Sequence, residues 1–223
     1  MVKPPPAALP ETQLVLVTPL IEAPEAFLPA LEAALAAGPV AAVIARLAAP
    51  DDRASVNVVK ALARLVQPAG SALMIEGAID AVARGGADGL HLLYDEARVA
   101  DAIERLAPER MVGVAGLKSR DDAMSAGEKG CDYVMFGEPM VSRHADKNGV
   151  LPPFAAVVER VSWWAEVFQI PVVGFSPDIA GAAALASVHA DFVALGDAVW
   201  AHPDGPAKAV AAALAELRTG AAA

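Results

Sequence analysis

Glu76 closes a short apolar run and stands directly before Gly77, and His91 lies inside another such run, Gly89 to Leu92. A carboxylate and an imidazole placed this way can serve as a general acid/base pair, because histidine titrates near neutrality. Asp95 and Glu96 follow that second run. Together with Glu76 they offer the carboxylates that Mg2+ prefers, one or two at a time, alongside waters and substrate phosphates. The plainer reading has Asp95-Glu96 opening a helix, where acids favour the N-terminal dipole, and His91 packed in the wall of the fold. Ser142, Arg143, His144 and Lys147 form a basic cluster in a long connection. Such a cluster suits an anionic ligand, or it is simply a solvated loop.

These residues need elements to position them, and the sequence repeats the device three times. Gly86-Ala87-Asp88, Gly130-Cys131-Asp132 and His189-Ala190-Asp191 each precede a short apolar run. A helix stop, a small residue and an aspartate before a strand mark a helix-to-strand turn. The runs show little polar alternation, as expected of strands buried on both faces. Similar runs recur at 14–18, 40–45, 72–75, 111–115 and 170–175, with helical patterns between them. Asp51 suits a helix cap, and Ser119 with Asp122 reads as a capping box. Eight strands alternating with eight helices predict a (β/α)8 TIM barrel over residues 13–218, with a doubly wound sheet as the alternative. Residues 1–12 read as a flexible Pro-rich arm and 219–223 as a frayed tail. In a barrel the residues just after the strands face one mouth. Arg46, Glu76, His91, Asp95, Glu138, Ser176, Gly196 and Asp197 all fall there or within a residue or two.

Composition narrows the partners. The 223 residues carry a net charge of −10, which disfavours nucleic acid. No run is long and apolar enough to span a membrane, and no signal peptide is visible, so a cytoplasmic protein is the expectation. The single Cys131 sits inside the second repeat and reads as a buried structural thiol. Trp163 and Trp164 are adjacent on one predicted helix, so at most one faces the core directly. The other is a candidate for a homodimer contact.

From Leu14 to Trp200 the chain resembles thiamine phosphate synthase and its thiazole tautomerase relatives. The match is strongest at Ile79-Asp80-Ala81-Val82-Ala83, at Gly86 to His91 and at Asp132-Tyr133-Val134-Met135-Phe136-Gly137. The resemblance implies a Mg2+-assisted transferase that joins a hydroxymethylpyrimidine diphosphate to a thiazole phosphate, a phosphorylated small-molecule substrate, in thiamine biosynthesis. It implies substrate-binding roles for Arg46, the one residue kept from the family's basic pattern after the second strand, and for Ser142, Arg143, His144 and Lys147. It also implies that Ser176 and Gly196 line the phosphate end of the site. Departures are clear. Glu76-Gly77-Ala78 replaces an Asn-Asp-Arg pattern, Ser176-Pro177-Asp178 replaces a Gly-Gly-Ile phosphate turn, and Asp197 stands for a serine. Two alternatives follow from those departures. One is a thiazole tautomerase-like isomerase using Glu76 and His91, and the other is a non-catalytic metabolite- or partner-binding barrel.

Overall fold

Eight apolar runs pair in parallel, each with its neighbour in the chain, and the last returns to the first to close a barrel. A computed structural model describes residues 11–48, 51–138 and 153–222. The strands are β1 (Gln13–Ile21), β2 (Ala42–Leu47), β3 (Ala72–Glu76), β4 (Gly89–Leu93), β5 (Met111–Ala115), β6 (Tyr133–Phe136), β7 (Val172–Ser176) and β8 (Phe192–Leu195). The helices are α1 (Pro24–Ala36), α2 (Asp52–Val66), α3 (Ile79–Gly85), α4 (Glu96–Leu106), α5 (Arg120–Glu128), α6 (Phe154–Val167), α7 (Gly181–Ser187), α8 (Asp197–Trp200) and α9 (Pro206–Ala221). The expected (β/α)8 barrel is therefore the fold, and the doubly wound sheet is excluded by closure of β1 on β8. No described helix is long and apolar enough to cross a membrane.

Strand residues alternate between two cores, as the two-residue period of a strand requires. Val15, Val17, Ile44, Met74, Met135 and Val173 fill the barrel interior. Leu14, Leu16, Val43, Leu73, Ile75 and Val134 face outward beneath the helices. Asp51 accepts the Ala54 N–H at 2.8 Å, and the Ser119–Asp122 capping box forms with both bonds at 3.0 Å. Trp164 is fully buried, while Trp163 is partly buried against Phe168 with the Arg120 guanidinium 4.6 Å over its ring.

The three repeats serve one structural purpose. Gly86, Gly130 and His189 occupy the same step of each turn and all have left-handed φ, 81°, 91° and 62°. The small residue that follows (Ala87, Cys131 or Ala190) is buried. The aspartate then turns back to the strand before it. Asp88 accepts the Leu73 N–H at 2.7 Å, Asp132 the Val112 N–H at 2.7 Å and Asp191 the Val172 N–H at 2.8 Å. Each carboxylate thus satisfies the amide at the start of a neighbouring strand, β3, β5 or β7. Cys131 is a packing residue at a repeated position, and burial pushes its thiol up to about 12.

That role predicts a cost. Asp132→Ala leaves a partly buried amide unpaired and should destabilise the fold by about 1–3 kcal/mol, whereas Asp132→Asn keeps an acceptor and should lose less. Urea unfolding of both variants measures the difference. Equal losses would mean that the carboxylate does not act through this bond.

Three departures from the sequence expectation matter. β1 continues to Ile21 through an irregularity between Val17 and Leu20, so it rises above the mouth. The short α8 directly follows β8 and is pinned to β1 by the Trp200 Nε1–H, which donates to the Val17 carbonyl at 2.7 Å. α9 runs on to Ala221, through residues expected as a frayed tail, because Gly220 lets the helix lie against the backbone of Ala183. Residues 1–10 of the expected arm lie outside the described residues. Thr12 is tied to the barrel by its hydroxyl, 2.7 Å from the Ala190 carbonyl.

Candidate functional site

Strand register builds one polar layer inside the barrel. Glu76 pairs with His91, His91 with Gly113, and Gly113 with Tyr133, so these four positions on β3 to β6 lie along one register row and share one face. The missing side chain at Gly113 is what lets the ring of Tyr133 lie across β5. Its phenol oxygen reaches His91 Nδ1 at 2.8 Å, and the two rings stack with centroids 5.8 Å apart. The sequence reading missed Tyr133. A phenol at the first position of a buried strand, opposite a strand glycine, was the available signal.

Burial lowers the imidazole of His91 to about 4 and raises the phenol of Tyr133. Both groups are therefore neutral at physiological pH. His91 is packed inside the barrel with a hydrogen-bond partner at Nδ1.

The sign of the resulting pH dependence is definite. The folded value, about 4, lies below the ordinary 6.5, so the unfolded chain protonates first as pH falls. The stability tied to neutral His91 is present above pH 6.5 and is lost as pH drops toward 4. The loss should be on the order of 3 kcal/mol. Urea unfolding of wild type and His91→Gln at pH 7 and 4.5 tests it. The variant should lose less stability over that interval, and parallel losses would rule out the assignment.

At the Glu76 end of this row stands a charge pair. Arg46 Nε lies 3.4 Å from Glu76 Oε2, with the two side chains 12% and 32% exposed. Nε is buried yet makes no hydrogen bond to any of the described residues. The backbone N–H of Arg46 is fixed by the Thr18 hydroxyl at 3.0 Å, where β1 is irregular. Arg46 thus has a settled backbone, a buried stem and an unsatisfied donor. A desolvated guanidinium of this kind suits a planar bidentate anion better than water does.

The remaining carboxylates are otherwise engaged. Asp95 caps α4 by accepting the Arg98 N–H at 3.0 Å. Glu96, the first residue of α4, pairs with Lys129 Nζ at 3.0 Å. Glu138 leans over Gly116 on the far side of the mouth. Among the described residues no group of three or more His, Cys, Asp or Glu side chains stands together as a metal site. Glu76, Asp95 and Glu96 each stand against another group of the chain.

At the ends of β7 and β8 the loops lie side by side, because Ser176 and Leu195 are register partners. Ser176 is fully buried and its hydroxyl donates to the Asp178 carbonyl at 2.6 Å. Asp178 Oδ1 accepts the Gly181 N–H at 2.8 Å and so caps the start of α7. Gly196 is the residue before α8, and Asp197 opens that helix with its side chain exposed. Ser142, Arg143, His144 and Lys147 lie outside the described residues.

Comparison with known proteins assigns the chain. Residues 14–199 match the family model described as thiamine monophosphate synthase. A thiamine-phosphate synthase of Rhodospirillum centenum is 37% identical over 202 residues, covering 90% of this chain and 95% of that protein. One of Hyphomonas neptunium is 37% identical over 209 residues, covering 91% and 92%. Among solved structures, the thiamine phosphate pyrophosphorylase of Pyrococcus furiosus superposes with a TM-score of 0.75 at 22% identity, covering 93% of this chain and 96% of that one.

Proposed function

The chain belongs to the thiamine monophosphate synthase family, and on that premise we propose that it joins the methylene carbon of a hydroxymethylpyrimidine diphosphate to the ring nitrogen of a thiazole phosphate. The bond from methylene carbon to diphosphate oxygen breaks, and pyrophosphate leaves with the electron pair. The thiazole nitrogen then donates its lone pair to the carbon. The observation that carries this reading at the site is the buried, unsatisfied Arg46 Nε beside Glu76 at the mouth.

Arg46 supplies positive charge where negative charge grows on the leaving oxygens, which is where a fixed charge accelerates a reaction most. Glu76 orients the guanidinium from its Nε side. The neutral His91–Tyr133 pair forms a dry wall beside them, so no buried charge competes with the developing cation. The reading also draws on Arg143 and Lys147, basic residues that lie outside the described residues. Magnesium enters this reading with the diphosphate, whose oxygens supply ligands that this hard cation prefers.

The experiment is direct. Purified protein, supplied with the pyrimidine diphosphate, the thiazole phosphate and Mg2+, should release pyrophosphate and form the coupled product, followed by mass spectrometry. Absence of product at high enzyme concentration would sink the reading.

A further inference from the structure

Among the described residues the buried hydroxyls are all committed. Thr18, Ser55, Ser71 and Ser176 each donate to a main-chain carbonyl. The remaining buried polar residue is His91, 4% exposed. Its Nδ1 lies 2.8 Å from the Tyr133 phenol oxygen, and one of the two groups must donate. The phenol makes no second hydrogen bond among the described residues. If Nδ1–H donated, the phenol proton and the Nε2 lone pair would both go unpaired. If the phenol donates, the ring proton sits on Nε2 and only that N–H is left over. The second arrangement strands fewer groups and is the favoured one. Nε2 makes no hydrogen bond to the described residues, yet it is not sealed off as Arg46 Nε is. It therefore opens on the space inside the barrel. The lining there is otherwise apolar, with Val17, Ile44, Met74, Ala115, Met135 and Phe175. His91 also pairs in register with Glu76, whose carboxylate meets Arg46. Neighbouring strands stand only about 4.8 Å apart, so a ring joined to a diphosphate at Arg46 is within reach of His91.

We propose that His91 Nε2–H, fixed by the Tyr133 phenol, donates to a ring nitrogen of the pyrimidine, which makes His91 a substrate-recognition residue and Tyr133 a positioning residue. The inference rests on the coupling reaction proposed above and names the contact that reads the ring of its electrophile. A flat heteroaromatic ring suits an apolar lining, but its nitrogens lose water there and need a donor. A neutral N–H meets that need without setting a full positive charge beside the methylene carbon as it becomes cationic. Neither residue transfers a proton, and the bonds made and broken are those already given.

Two diphosphate analogues, each with one ring nitrogen replaced by C–H, test the contact. They and the pyrimidine diphosphate are titrated calorimetrically into the full-length protein with Mg2+ and no thiazole. One analogue should bind about tenfold weaker or more, because it leaves Nε2–H against carbon. His91→Phe keeps a flat ring but no donor. It should weaken pyrimidine binding about tenfold and leave that analogue nearly unchanged, so the discrimination disappears. Tyr133→Phe, the milder variant, should lose part of the discrimination. Equal binding of all three diphosphates by wild type overturns the proposal. So does a loss in the variants that falls on pyrimidine and analogue alike, which is what a merely structural role would give. Side-chain 1H–15N NMR of the free protein reads the tautomer directly. The His91 signals, identified by their absence in His91→Phe, should show a protonated Nε2 and a bare Nδ1, and Tyr133→Phe should bring in the Nδ1–H form. A protonated Nδ1 in wild type, or an unchanged tautomer and unchanged affinities in Tyr133→Phe, overturns the arrangement. Turnover with the thiazole phosphate is read alongside. The expected discrimination without coupled product would overturn the coupling reaction alone. Coupled product without discrimination would overturn the recognition alone, and failure of the pyrimidine diphosphate to bind would overturn both.

Discussion

Arg46→Ala should lower kcat/KM for the pyrimidine diphosphate by roughly 10²–10³-fold while leaving the protein folded. A charge-assisted hydrogen bond contributes about 1.5–3 kcal/mol, and a guanidinium can make two of them to one diphosphate. Loss of that contact in the transition state corresponds to about 3–4 kcal/mol of barrier. The fold should tolerate the change. Arg46 Nε makes no hydrogen bond to the described residues, and its nearest opposite charge among them belongs to Glu76, whose side chain is 32% exposed and so keeps access to water. Arg46→Lys retains charge but not the planar fork and should recover only part of the rate.

Glu76 supplies the sharper comparison. If it acts by orienting Arg46, Glu76→Gln lowers the rate alone but adds almost nothing on an Arg46→Ala background. Independent, additive losses would show that Glu76 meets the substrate itself, as an acid/base residue would. Urea midpoints of all the variants separate lost chemistry from lost fold. An Arg46→Ala enzyme with wild-type kcat/KM would remove the guanidinium from the mechanism.

The sequence announced the scaffold because its signals are local. Gly86, Gly130 and His189 turn the chain, and Asp88, Asp132 and Asp191 each hold the amide of an adjacent strand. The residues that meet both demands stand together in one turn, so they recur as a visible phrase. The site is harder to read because its pairings cross strands. Glu76 meets Arg46 through β2 and β3, and Tyr133 meets His91 over a glycine of the strand between them. Nothing near Tyr133 in the chain marks that contact. Proximity in sequence also misleads. Asp95 and Glu96 are adjacent and acidic, yet one is spent on a helix cap and the other on Lys129. The short α8 escapes notice for the opposite reason: four residues are too few to show a helical period.

The largest stability effect should come from a single methyl group. Gly113 pairs with His91 on one side and Tyr133 on the other. A Cβ built there would fall inside the Tyr133 ring, against Cζ, Cε1 and the phenol oxygen. These are atoms of a rigid ring packed against the barrel interior, so it yields less readily than a flexible chain end would. Gly113→Ala should therefore cost about 3 kcal/mol or more, at the upper end of overpacking penalties. That is a large fraction of the roughly 5–15 kcal/mol that stabilises a typical domain. Tyr133→Phe should not relieve the clash, because Cζ and Cε1 remain. Tyr133→Ala should relieve it, so the Gly113→Ala/Tyr133→Ala pair should be less destabilised than the sum of the two single variants by about 2 kcal/mol. The same displacement would strip His91 of its phenol partner, leaving a buried imidazole nitrogen unpaired and disturbing the wall beside Arg46 and Glu76. Activity per folded molecule should thus fall along with stability. Urea unfolding of the three variants decides the matter. A Gly113→Ala protein within about 1 kcal/mol of wild type would mean that the interior repacks freely, and the polar layer would lose its claim to be a fixed part of the site.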